Sequence, residues 1–272
     1  MEQSYSVLMS VYAKEKAEYL KQSIDSILEQ TIFPGDFVLV CDGPLTRELY
    51  DVIDMKKKEY PELFQIVSLP ENRGLGEALK EGLLHCKNEF VARMDSDDIS
   101  VKNRCEQQMM TMIEKKADIV GGWVEEFEKD PAEQGVIRRV PESAGEIALY
   151  AKKRNPFNHP TVMFRREAVI KAGNYQSCRG FEDYHLWVRM LKAGCAGCNL
   201  PTVLVYMRGG DDMYRRRGGI SYLKDIAVFE NFMRESGYIG NREYVAAMIK
   251  RGLVCIVPSG IRRFFYRLFL RR

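Results

Sequence analysis

The chain has 272 residues, of which 46% are hydrophobic and 29% are charged, and its formal net charge at pH 7 is +3. This composition is typical of a folded domain with a sizeable core and excludes a disordered chain. The small net charge argues against a nucleic-acid partner, because nucleic-acid binding surfaces carry a strong basic excess.

The cysteine content and the absence of long apolar runs indicate the cellular compartment of the protein. Seven cysteines are scattered along the chain, and this odd number argues against a disulfide framework and indicates a reducing environment. Cys195 and Cys198 have CxxC spacing, but no second pair provides the four ligands of a structural zinc. The first residues resemble no signal peptide, and no apolar run approaches the ~20 residues of a membrane span. We therefore expect a cytoplasmic protein.

The first half of the sequence alternates apolar runs with amphipathic segments. The apolar runs predict strands that are buried on both faces, at 5–12, 36–42, 63–69, 89–94 and 118–124. Helical periodicity between them predicts helices at about 17–29, 45–60, 75–87 and 100–116. Such alternation is typical of a parallel α/β sheet with right-handed crossovers.

Three carboxylates follow the fourth predicted strand, in the segment Arg93-Met94-Asp95-Ser96-Asp97-Asp98. Hard cations such as Mg2+ and Mn2+ are bound by carboxylate oxygens, and Mg2+ is usually shared between one or two protein carboxylates and substrate phosphates. The cluster therefore predicts a divalent-metal site and a nucleotide diphosphate partner. The alternative is an acidic cap on the helix predicted to begin near Ser100. Asp98 suits that cap, which leaves Asp95 and Asp97 for a metal.

Polar and aromatic residues also follow the other strands, and ligands of open α/β sheets bind outside these carboxyl ends. The first strand ends at Ser10-Val11-Tyr12, the second at Asp42-Gly43, and the third leads into Asn72-Arg73-Gly74. Tyr12 is a candidate to stack on a base, Asp42 to accept from a base or ribose, and Arg73 to neutralise phosphate. A core aromatic, a turn and a loop before a helix are the structural alternatives. Neither a complete GxGxxG nor a GxxxxGK[ST] motif is present, so the phosphates are left mainly to metal and arginine.

The second half is less regular and holds two further constellations. The segment Asn155-Pro156-Phe157-Asn158-His159-Pro160 precedes an apolar run at 161–164, and Gly180-Phe181-Glu182-Asp183 precedes a helical pattern at 184–191. One of Glu182 and Asp183 suits the N-cap of that helix, which leaves the other for chemistry. Displacement at a sugar carbon requires such a carboxylate, because the incoming hydroxyl must lose its proton opposite the leaving phosphate.

Taken in chain order, these motifs closely resemble those of the family 2 glycosyltransferases, inverting enzymes of the GT-A fold. The matching segments are Ser-Val-Tyr, Val-Cys-Asp-Gly, Glu-Asn-Arg-Gly-Leu-Gly, Ala-Arg-Met-Asp-Ser-Asp-Asp, Asn-His-Pro-Thr-Val-Met-Phe-Arg and Gly-Phe-Glu-Asp-Tyr. The chain is most similar to bacterial enzymes that build capsular, exopolysaccharide or lipopolysaccharide units, including their AmsE-like branch. The resemblance covers roughly residues 4–210.

The resemblance implies an α/β GT-A fold, with a mainly parallel nucleotide-binding sheet flanked by helices, a mixed acceptor-side half and a helical basic C-terminal tail. We expect a catalytic domain at 1–210, divided into a nucleotide-binding half at 1–124 and an acceptor half at 125–210. Residues 211–272 would then form a basic loop, helices and a membrane-interface tail.

The resemblance also assigns roles to residues. It implies that Asp95-Ser96-Asp97 is the DxD motif, with Asp97 the direct ligand of Mn2+ or Mg2+ and Asp95 assisting. His159 is a further candidate for a metal or phosphate contact, although a histidine before proline also has a structural interpretation. Asp42 would recognise uracil, and Asp183 would be the general base. The remaining residues expected to contact the donor are Ser10, Tyr12, Glu15, Arg73 and Ser96.

The implied reaction is transfer of a sugar from a UDP-sugar to a saccharide acceptor, carried on a polyprenyl diphosphate. Two other functions remain open. A sugar-phosphate nucleotidylyltransferase would carry a Gly-rich basic signature after its first strand, where this chain has Tyr12-Ala13-Lys14-Glu15. A catalytically idle nucleotide-binding or scaffold protein of a polysaccharide assembly complex would keep the nucleotide site without transfer.

Two basic segments lie near the C-terminus. Arg215, Arg216 and Arg217 stand between glycine pairs, which suits either a loop that closes over diphosphate or a solvated basic loop. The last residues, 261–272, mix aromatic side chains with five arginines. We expect this tail to anchor the protein to the anionic cytoplasmic face of the membrane, and the alternative is a helix packed on the catalytic domain or on a second subunit.

Overall fold

A computed structural model describes residues 4–127, 135–209 and 219–256, apart from the side chains of residue 220 and of 253–256. The predicted basic loop around Arg215–Arg217 and the predicted tail at 261–272 lie outside these residues. Within the part of the chain that the structure describes, none of the helices has the length and apolar character that a bilayer crossing requires.

The described strands form one nine-stranded sheet. In chain order they are β1 (Tyr5–Val11), β2 (Asp36–Cys41), β3 (Phe64–Ser68), β4 (Phe90–Asp95), β5 (Ile99–Ser100), β6 (Ile119–Phe127), β7 (Val136–Arg138), β8 (Met163–Arg165) and β9 (Gly197–Arg208). Their order in the sheet is β3-β2-β1-β4-β8-β6-β9-β5, and β7 pairs with β6.

Helices cover both faces of this sheet. They are α1 (Ala17–Leu28), α2 (Arg47–Glu59), α3 (Leu75–His85), α4 (Arg104–Glu114), α5 (Ala144–Tyr150), α6 (Arg166–Lys171), α7 (Glu182–Lys192), α8 (Gly219–Glu235) and α9 (Asn241–Ile256). A single 3-10 turn, His159–Thr161, precedes β8.

The sheet has a parallel half and a mixed half, as predicted. Strands β3, β2, β1 and β4 are parallel neighbours. Strand β8 is antiparallel to both β4 and β6, β6 is parallel to β9, and β5 is antiparallel to β9. Strand β8 is antiparallel to both of its neighbours, so β4 and β6 run in the same direction, and β9 is parallel to β6. The carboxyl ends of β4, β6 and β9 therefore lie at the same edge of the sheet.

Side-chain alternation divides the core into two layers. In β1, Val7, Met9 and Val11 pack with α1, α2 and α4, while Leu8 packs on the other face with α3, α6 and α7. All six residues of β2 are buried, which is expected of a strand covered on both faces. The apolar runs of the sequence therefore correspond to strands that lie between two helical layers.

A third apolar cluster joins the C-terminal helices to α7. Phe181 and Tyr184, at the start of α7, pack against Phe229 of α8, and Met248 of α9 lies at the edge of the same cluster. Helix α9 is also tied to the end of α5 by an ion pair between Lys152 and Glu243 of 3.6 Å. The C-terminal helices thus lie against the beginning of the helix that carries Asp183.

Two predicted helix starts are wrong. Helix α4 begins at Arg104 with Asn103 as its N-cap, because Ile99 and Ser100 extend as β5 and pair with β9. Asp98 therefore caps no helix, and its Oδ1 instead accepts a hydrogen bond of 2.8 Å from the backbone nitrogen of Arg208. At α7 the N-cap is Phe181, so both carboxylates lie within the first turn and neither is the cap.

Strand β9 has no counterpart among the predicted strands. It contains Pro201, which cannot donate a ladder hydrogen bond, and its pairing with β6 shifts register around Gly122 and Trp123. These irregularities break the two-residue alternation that identifies a strand in sequence.

Candidate active site

The carboxyl ends of three parallel strands meet at one edge of the sheet. In the pairing register Val11 lies beside Cys41, and Ser10 lies beside Asp95. The backbone nitrogen of Asp42 donates to the carbonyl of Val11 at 2.8 Å. Tyr12, Asp42 and the acidic segment therefore leave the sheet together, at the edge where α/β folds bind ligands. Tyr12 is exposed there.

Asp42 organises the loop that follows β3. Its Oδ1 accepts from the backbone nitrogen of Arg73 at 2.7 Å, and its Oδ2 accepts from that of Gly74 at 3.0 Å. Gly43 makes this approach possible, because its φ is +84° and an added Cβ would lie 2.6 Å from the nitrogen of Asn72. The side chain of Arg73 is half exposed, and its nearest ion-pair contact is Glu71 at 3.6 Å.

The acidic segment begins with an ion pair inside β4. The two terminal nitrogens of Arg93 donate to the two oxygens of Asp95, with 2.6 Å between Nη1 and Oδ2. Arg93 is only 1% exposed, and its Nε has no hydrogen-bond partner among the described residues. Ser23 of α1 donates its hydroxyl to the backbone carbonyl of Asp95 at 2.6 Å. Asp95 is thus held from the strand and from the neighbouring helix.

Glu15 brings a further carboxylate to this segment from the loop after β1. The hydroxyl of Ser96 donates to Glu15 Oε2 at 3.0 Å, and the backbone nitrogen of Lys16 donates to Oε1 at 2.8 Å. Burial and the carboxylates of Asp95 and Glu15 raise the pKa of Asp97 to about 7. Burial and the carboxylates of Asp97 and Asp95 also raise the pKa of Asp98 well above its ordinary value. Burial and neighbouring carboxylates therefore favour the protonated forms of Asp97 and Asp98, and the charge of Arg93 only partly opposes this effect.

Arg208, at the end of β9, fastens the turn that contains Asp97. Its Nε donates to the backbone carbonyl of Asp97 at 3.0 Å, and its Nη2 donates to Gln22 of α1 at 2.9 Å. The guanidinium lies 3.8 Å from the ring centroid of Tyr19 and 4.7 Å from that of Phe127. These contacts fix the backbone of the acidic turn against α1.

Asp183 lies in the first turn of α7. Its Oδ1 accepts from the backbone nitrogen of Tyr184 at 2.7 Å, and its Oδ2 accepts from the side-chain amide of Asn155 at 2.5 Å. Burial raises the pKa of Asp183, and these two hydrogen bonds and the charge of Arg93 oppose that rise. A carboxylate with this raised pKa is a stronger base than an exposed aspartate.

The start of α7 adjoins the start of α3 at Gly76. A Cβ on Gly76 would lie 2.8 Å from Cγ of Glu182, so the first turns of α3 and α7 are in close contact. Helix α3 follows directly from the loop that Asp42 holds. The two halves of the chain therefore meet where Asp183 begins its helix.

Both groups of carboxylates affect the pKa of the buried Tyr175. Burial raises the pKa of its phenol, the charge of Arg93 lowers it, and the carboxylates of Asp183 and Asp95 raise it further. Both carboxylates therefore lie within electrostatic range of one buried hydroxyl. The structure thus brings the acidic segment and Asp183 to the same region of the molecule.

His159 is buried next to Tyr175. It is 9% exposed, its Nε2 is 3.0 Å from the hydroxyl of Tyr175, and its ring meets that of Trp187 edge-on at 6.0 Å between centroids. Burial and the charge of Arg93 lower the pKa of His159 well below its ordinary value, so the imidazole is neutral. Its role as a metal or phosphate contact stays a prediction.

The donor groups near Asp97 fit a hard divalent cation that is shared with a substrate. In the described ranges no three His, Cys, Asp or Glu side chains come together as a complete protein-only site. Mg2+ typically binds through one or two carboxylates together with substrate phosphates. Burial first, and then the charges of Asp95 and Glu15, raise the pKa of Asp97, and a bound cation would oppose both effects by favouring the ionised carboxylate.

Three residues of this site have no predicted role. The contact between Arg93 and Asp95 could have been predicted, because residues two apart on a strand lie on the same face and Arg93 precedes Asp95 by two positions. Asn155 contacts the carboxylate of Asp183, 28 positions away, and Arg208 contacts the backbone carbonyl of Asp97, 111 positions away. No local sequence pattern predicts such pairs.

Comparison with known proteins gives relatives over almost the whole chain. Residues 6–173 match glycosyl transferase family 2. The UDP-Gal:alpha-D-GlcNAc-diphosphoundecaprenol beta-1,3-galactosyltransferase of Escherichia coli is 38% identical, over 98% of this chain and 97% of its own length. The amylovoran biosynthesis glycosyltransferase AmsE of Erwinia amylovora is also 38% identical, over 96% of this chain and 97% of its own length.

Solved structures support the same assignment at the level of the fold. TarS 1-349 of S. aureus in complex with UDP-GlcNAc superposes with a TM-score of 0.68 at 16% identity, over 98% of this chain and 76% of that one. The mannosyltransferase PcManGT of Pyrobaculum calidifontis in complex with GDP-Man and Mn2+ gives 0.65 at 15% identity, over 96% and 72%. The predicted GT-A fold is confirmed. Since the family match covers more than half of the residues, the chain belongs to glycosyl transferase family 2.

Proposed function

We propose that the chain is an inverting hexosyltransferase that moves a sugar from a UDP-sugar to a lipid-linked saccharide in bacterial surface-polysaccharide synthesis. The observation that carries this proposal is geometric: Asp42 and the acidic segment of Asp95 and Asp97 leave the sheet at one edge, and the first turn of α7, which carries Asp183, contacts the first turn of α3 beyond the Asp42 loop. The names of the two full-length relatives support it, because one uses UDP-Gal and a diphosphoundecaprenol-linked acceptor and the other serves amylovoran synthesis.

The residues at the strand ends would bind the donor. Asp42 is held by two backbone nitrogens, and a carboxylate offers about four acceptor positions, so acceptor capacity remains for a uracil N–H. Tyr12 is exposed beside it for stacking, and the half-exposed Arg73 is placed for the phosphates. Further donor contacts would come from Ser10, Glu15 and Ser96.

Asp97, assisted by Asp95, would hold Mn2+ or Mg2+ together with the donor diphosphate. When bound, this cation stabilises the negative charge that develops on the leaving diphosphate. Asp97 and Glu15 concentrate negative charge at this position, and Arg208 holds the Asp97 backbone still. Arg93 keeps the carboxylate of Asp95 oriented through its two nitrogens.

Asp183 would act as the general base. It accepts the proton of the attacking acceptor hydroxyl while the new C–O bond forms at the anomeric carbon and the bond to UDP breaks. Attack from the face opposite UDP inverts the anomeric centre, so an α-linked donor yields a β-glycoside. The raised pKa of Asp183 suits proton removal, and Asn155 orients the carboxylate.

The acceptor's lipid carrier would place the enzyme at the cytoplasmic face of the membrane as a peripheral protein. The Escherichia coli relative acts on a diphosphoundecaprenol-linked sugar, and an enzyme of such an acceptor must reach the bilayer surface. The five arginines and the aromatic residues of 261–272 would provide attraction to anionic lipid, at about 1 kcal/mol for each basic residue near the surface.

The test is a donor screen with purified protein, Mn2+ and a polyprenyl-diphosphate-linked N-acetylglucosamine acceptor. We expect UDP release and a glycosylated lipid product with one UDP-hexose. Consumption of a nucleoside triphosphate without sugar transfer, or no turnover with any donor, would contradict the proposal.

Two variants separate the proposed roles. Asp183→Asn should abolish transfer but keep metal-dependent UDP binding, whereas Asp97→Ala should weaken that binding. Glu182→Gln is the matched control for Asp183, because it removes the neighbouring carboxylate in the same helical turn, and it should retain transfer. Full transfer by Asp183→Asn would remove Asp183 from the mechanism.

A further inference from the structure

The C-terminal helices contact the residue that begins the helix of Asp183. Phe181, the N-cap of α7, stacks on Phe229 of α8 with 4.7 Å between ring centroids and 8° between ring planes. Its ring also stacks on Tyr222 at 6.0 Å and 13°. Stacked aromatic pairs add specific geometry to apolar burial. The position of the first turn of α7 therefore depends on α8.

Arg251 of α9 extends this contact to a second segment. Its Nε forms an ion pair of 2.9 Å with Glu230 of α8, a carboxylate that is 2% exposed. The guanidinium lies 5.5 Å from the ring centroid of Phe181 and 5.8 Å from that of Phe229. Its Nη2 donates to the backbone carbonyl of Lys153 at 3.3 Å. A planar guanidinium makes these three kinds of contact at once, which an ammonium does not.

The segment that Arg251 reaches is the one that holds the other side of Asp183. Lys153 stands two residues before Asn155, whose amide donates to Asp183 Oδ2. The hydroxyl of Tyr184 donates to the carbonyl of Ala151 at 2.6 Å, which ties the beginning of the same segment to α7. Residues 151–155 are therefore fastened to α7 at both ends and to α9 in the middle.

We infer that Arg251 is a positioning residue for Asp183, which it holds from two sides through Phe181 and through the backbone of Lys153. This inference rests on the proposed function, since it assumes that Asp183 is the base. It makes the α8–α9 pair part of the catalytic apparatus, although Arg251 itself touches no substrate.

The energetics of the buried ion pair favour this interpretation over a purely stabilising one. Removing Glu230 and Arg251 from water costs free energy that their mutual attraction only roughly offsets, and apolar replacements of such pairs are often neutral or stabilising. The stacked rings of Phe181 and Phe229 already join the helices. What the ion pair adds is a fixed orientation of the guanidinium toward Lys153.

A positioning role also predicts a pH effect, because the hydrogen bond from Asn155 lowers the pKa of the Asp183 carboxyl. If residues 151–155 loosen, that hydrogen bond weakens and the carboxyl gains its proton at higher pH. The charged and titratable groups that face Asp183 from the surrounding elements are Arg93, Arg138, Tyr175, Cys178 and Glu182.

The experiment compares two variants of the full chain with a matched control. The double variant Glu230→Gln/Arg251→Met removes both charges of the pair, so that neither charge is left without its partner. The single variant Arg251→Lys keeps the positive charge but lacks the planar guanidinium. Arg165→Lys is the control. Arg165 likewise forms an ion pair with Glu89, lies over the ring of Phe90 and donates to the backbone carbonyl of Ala117, but it lies by the amino end of β4. Folding of all three is checked by urea denaturation.

We expect the double variant to lower kcat about tenfold, with a smaller loss for Arg251→Lys, since small displacements of a catalytic group cost rate steeply. The donor KM and the metal-dependent Kd for UDP should stay within about twofold of the unmodified protein. The acidic limb of the kcat/KM profile should move to higher pH, and Arg165→Lys should change none of these quantities.

Two results overturn the inference, and they differ from failure of the proposed function. If both Arg251 variants fold and keep kcat and the pH profile, or if the control loses as much, Arg251 does not position the base. If instead Asp183→Asn retains transfer, the proposed base itself is wrong and the inference falls with it.

Discussion

Arg93 and Asp95 form a two-point ion pair on one face of β4, in which both terminal nitrogens of the arginine meet the two carboxylate oxygens. The charge of Arg93 also opposes the rise in pKa that burial imposes on Asp97, Asp98 and Asp183. One buried cation thus serves four carboxylates. It favours the ionised form of each of them.

We predict that Arg93→Met lowers the free energy of unfolding by about 2 kcal/mol, because it removes a buried cation from an ion pair whose carboxylate is 31% exposed and from the neighbouring Asp97 and Asp98. Urea denaturation followed by circular dichroism measures this loss. The control is Arg165→Met, whose partner Glu89 is largely exposed, and it should cost about 1 kcal/mol or less. Equal losses for the two variants would show that Arg93 has no special electrostatic role.

We predict that Asp42→Asn weakens UDP binding about tenfold, since hydrogen bonds to a charged acceptor contribute about 1.5–3 kcal/mol. The asparagine keeps one oxygen, and its NH2 group would face the backbone nitrogen of Arg73 or Gly74, which disturbs the loop as well as the proposed uracil contact. Isothermal titration calorimetry with UDP and Mn2+ measures the change. Asp118→Asn is the control, because Asp118 Oδ2 likewise accepts from a backbone nitrogen, that of Ala196, away from the strand carboxyl ends. Unchanged affinity in Asp42→Asn would exclude Asp42 from donor recognition.

The parallel half of the fold could be predicted because its signals are local. A strand buried on both faces, such as β2, is a continuous apolar run, and the topology then dictates which strand ends share an edge. Strands β5 and β9 lacked such a signal. A two-residue strand such as Ile99–Ser100 is too short to be recognised in the sequence. In β9, Pro201 and the shift of register against β6 interrupt the alternation of side chains.

The site shows the same division between local and distant information. That Asp42, Asp95 and Asp97 leave one edge follows from the order of strands. The partners of the carboxylates do not, because Asp98 with Arg208 and Asp183 with Asn155 meet only after the chain has folded. The predicted caps failed for this reason: Asp98 and Asp183 each have a distant hydrogen-bond partner that the local sequence does not indicate, in addition to the adjacent Tyr184 in the case of Asp183.

We predict that Asn155→Ala moves the acidic limb of the kcat/KM profile to higher pH. The amide of Asn155 donates to the carboxylate of Asp183 and lowers its pKa, so its removal raises the pKa further, and the base then carries a proton over more of the acidic range. The rate of transfer should therefore fall more at about pH 6 than at about pH 8, two values on either side of neutral pH, where general bases operate. Asn103→Ala, whose side chain forms no capping bond to α4, should keep the original profile. A uniform loss at every pH would indicate misplacement of the base without a change in its pKa.

We predict that Gly76→Ala lowers kcat severalfold with little change in stability. The added Cβ would lie 2.8 Å from Cγ and 3.4 Å from Cβ of Glu182, so the Glu182 side chain must move, and we expect the first turn of α7, which carries Asp183, to move with it. The helical preference for alanine, about 0.5–1 kcal/mol, offsets part of the strain. Gly145→Ala is the matched control: this glycine lies within α5 with nothing within 4 Å of the added Cβ, so it should gain that stability and leave kcat unchanged. Steady-state kinetics and thermal unfolding of the two variants measure both effects, and full activity of Gly76→Ala would mean that the approach of α3 to α7 does not set the position of the base.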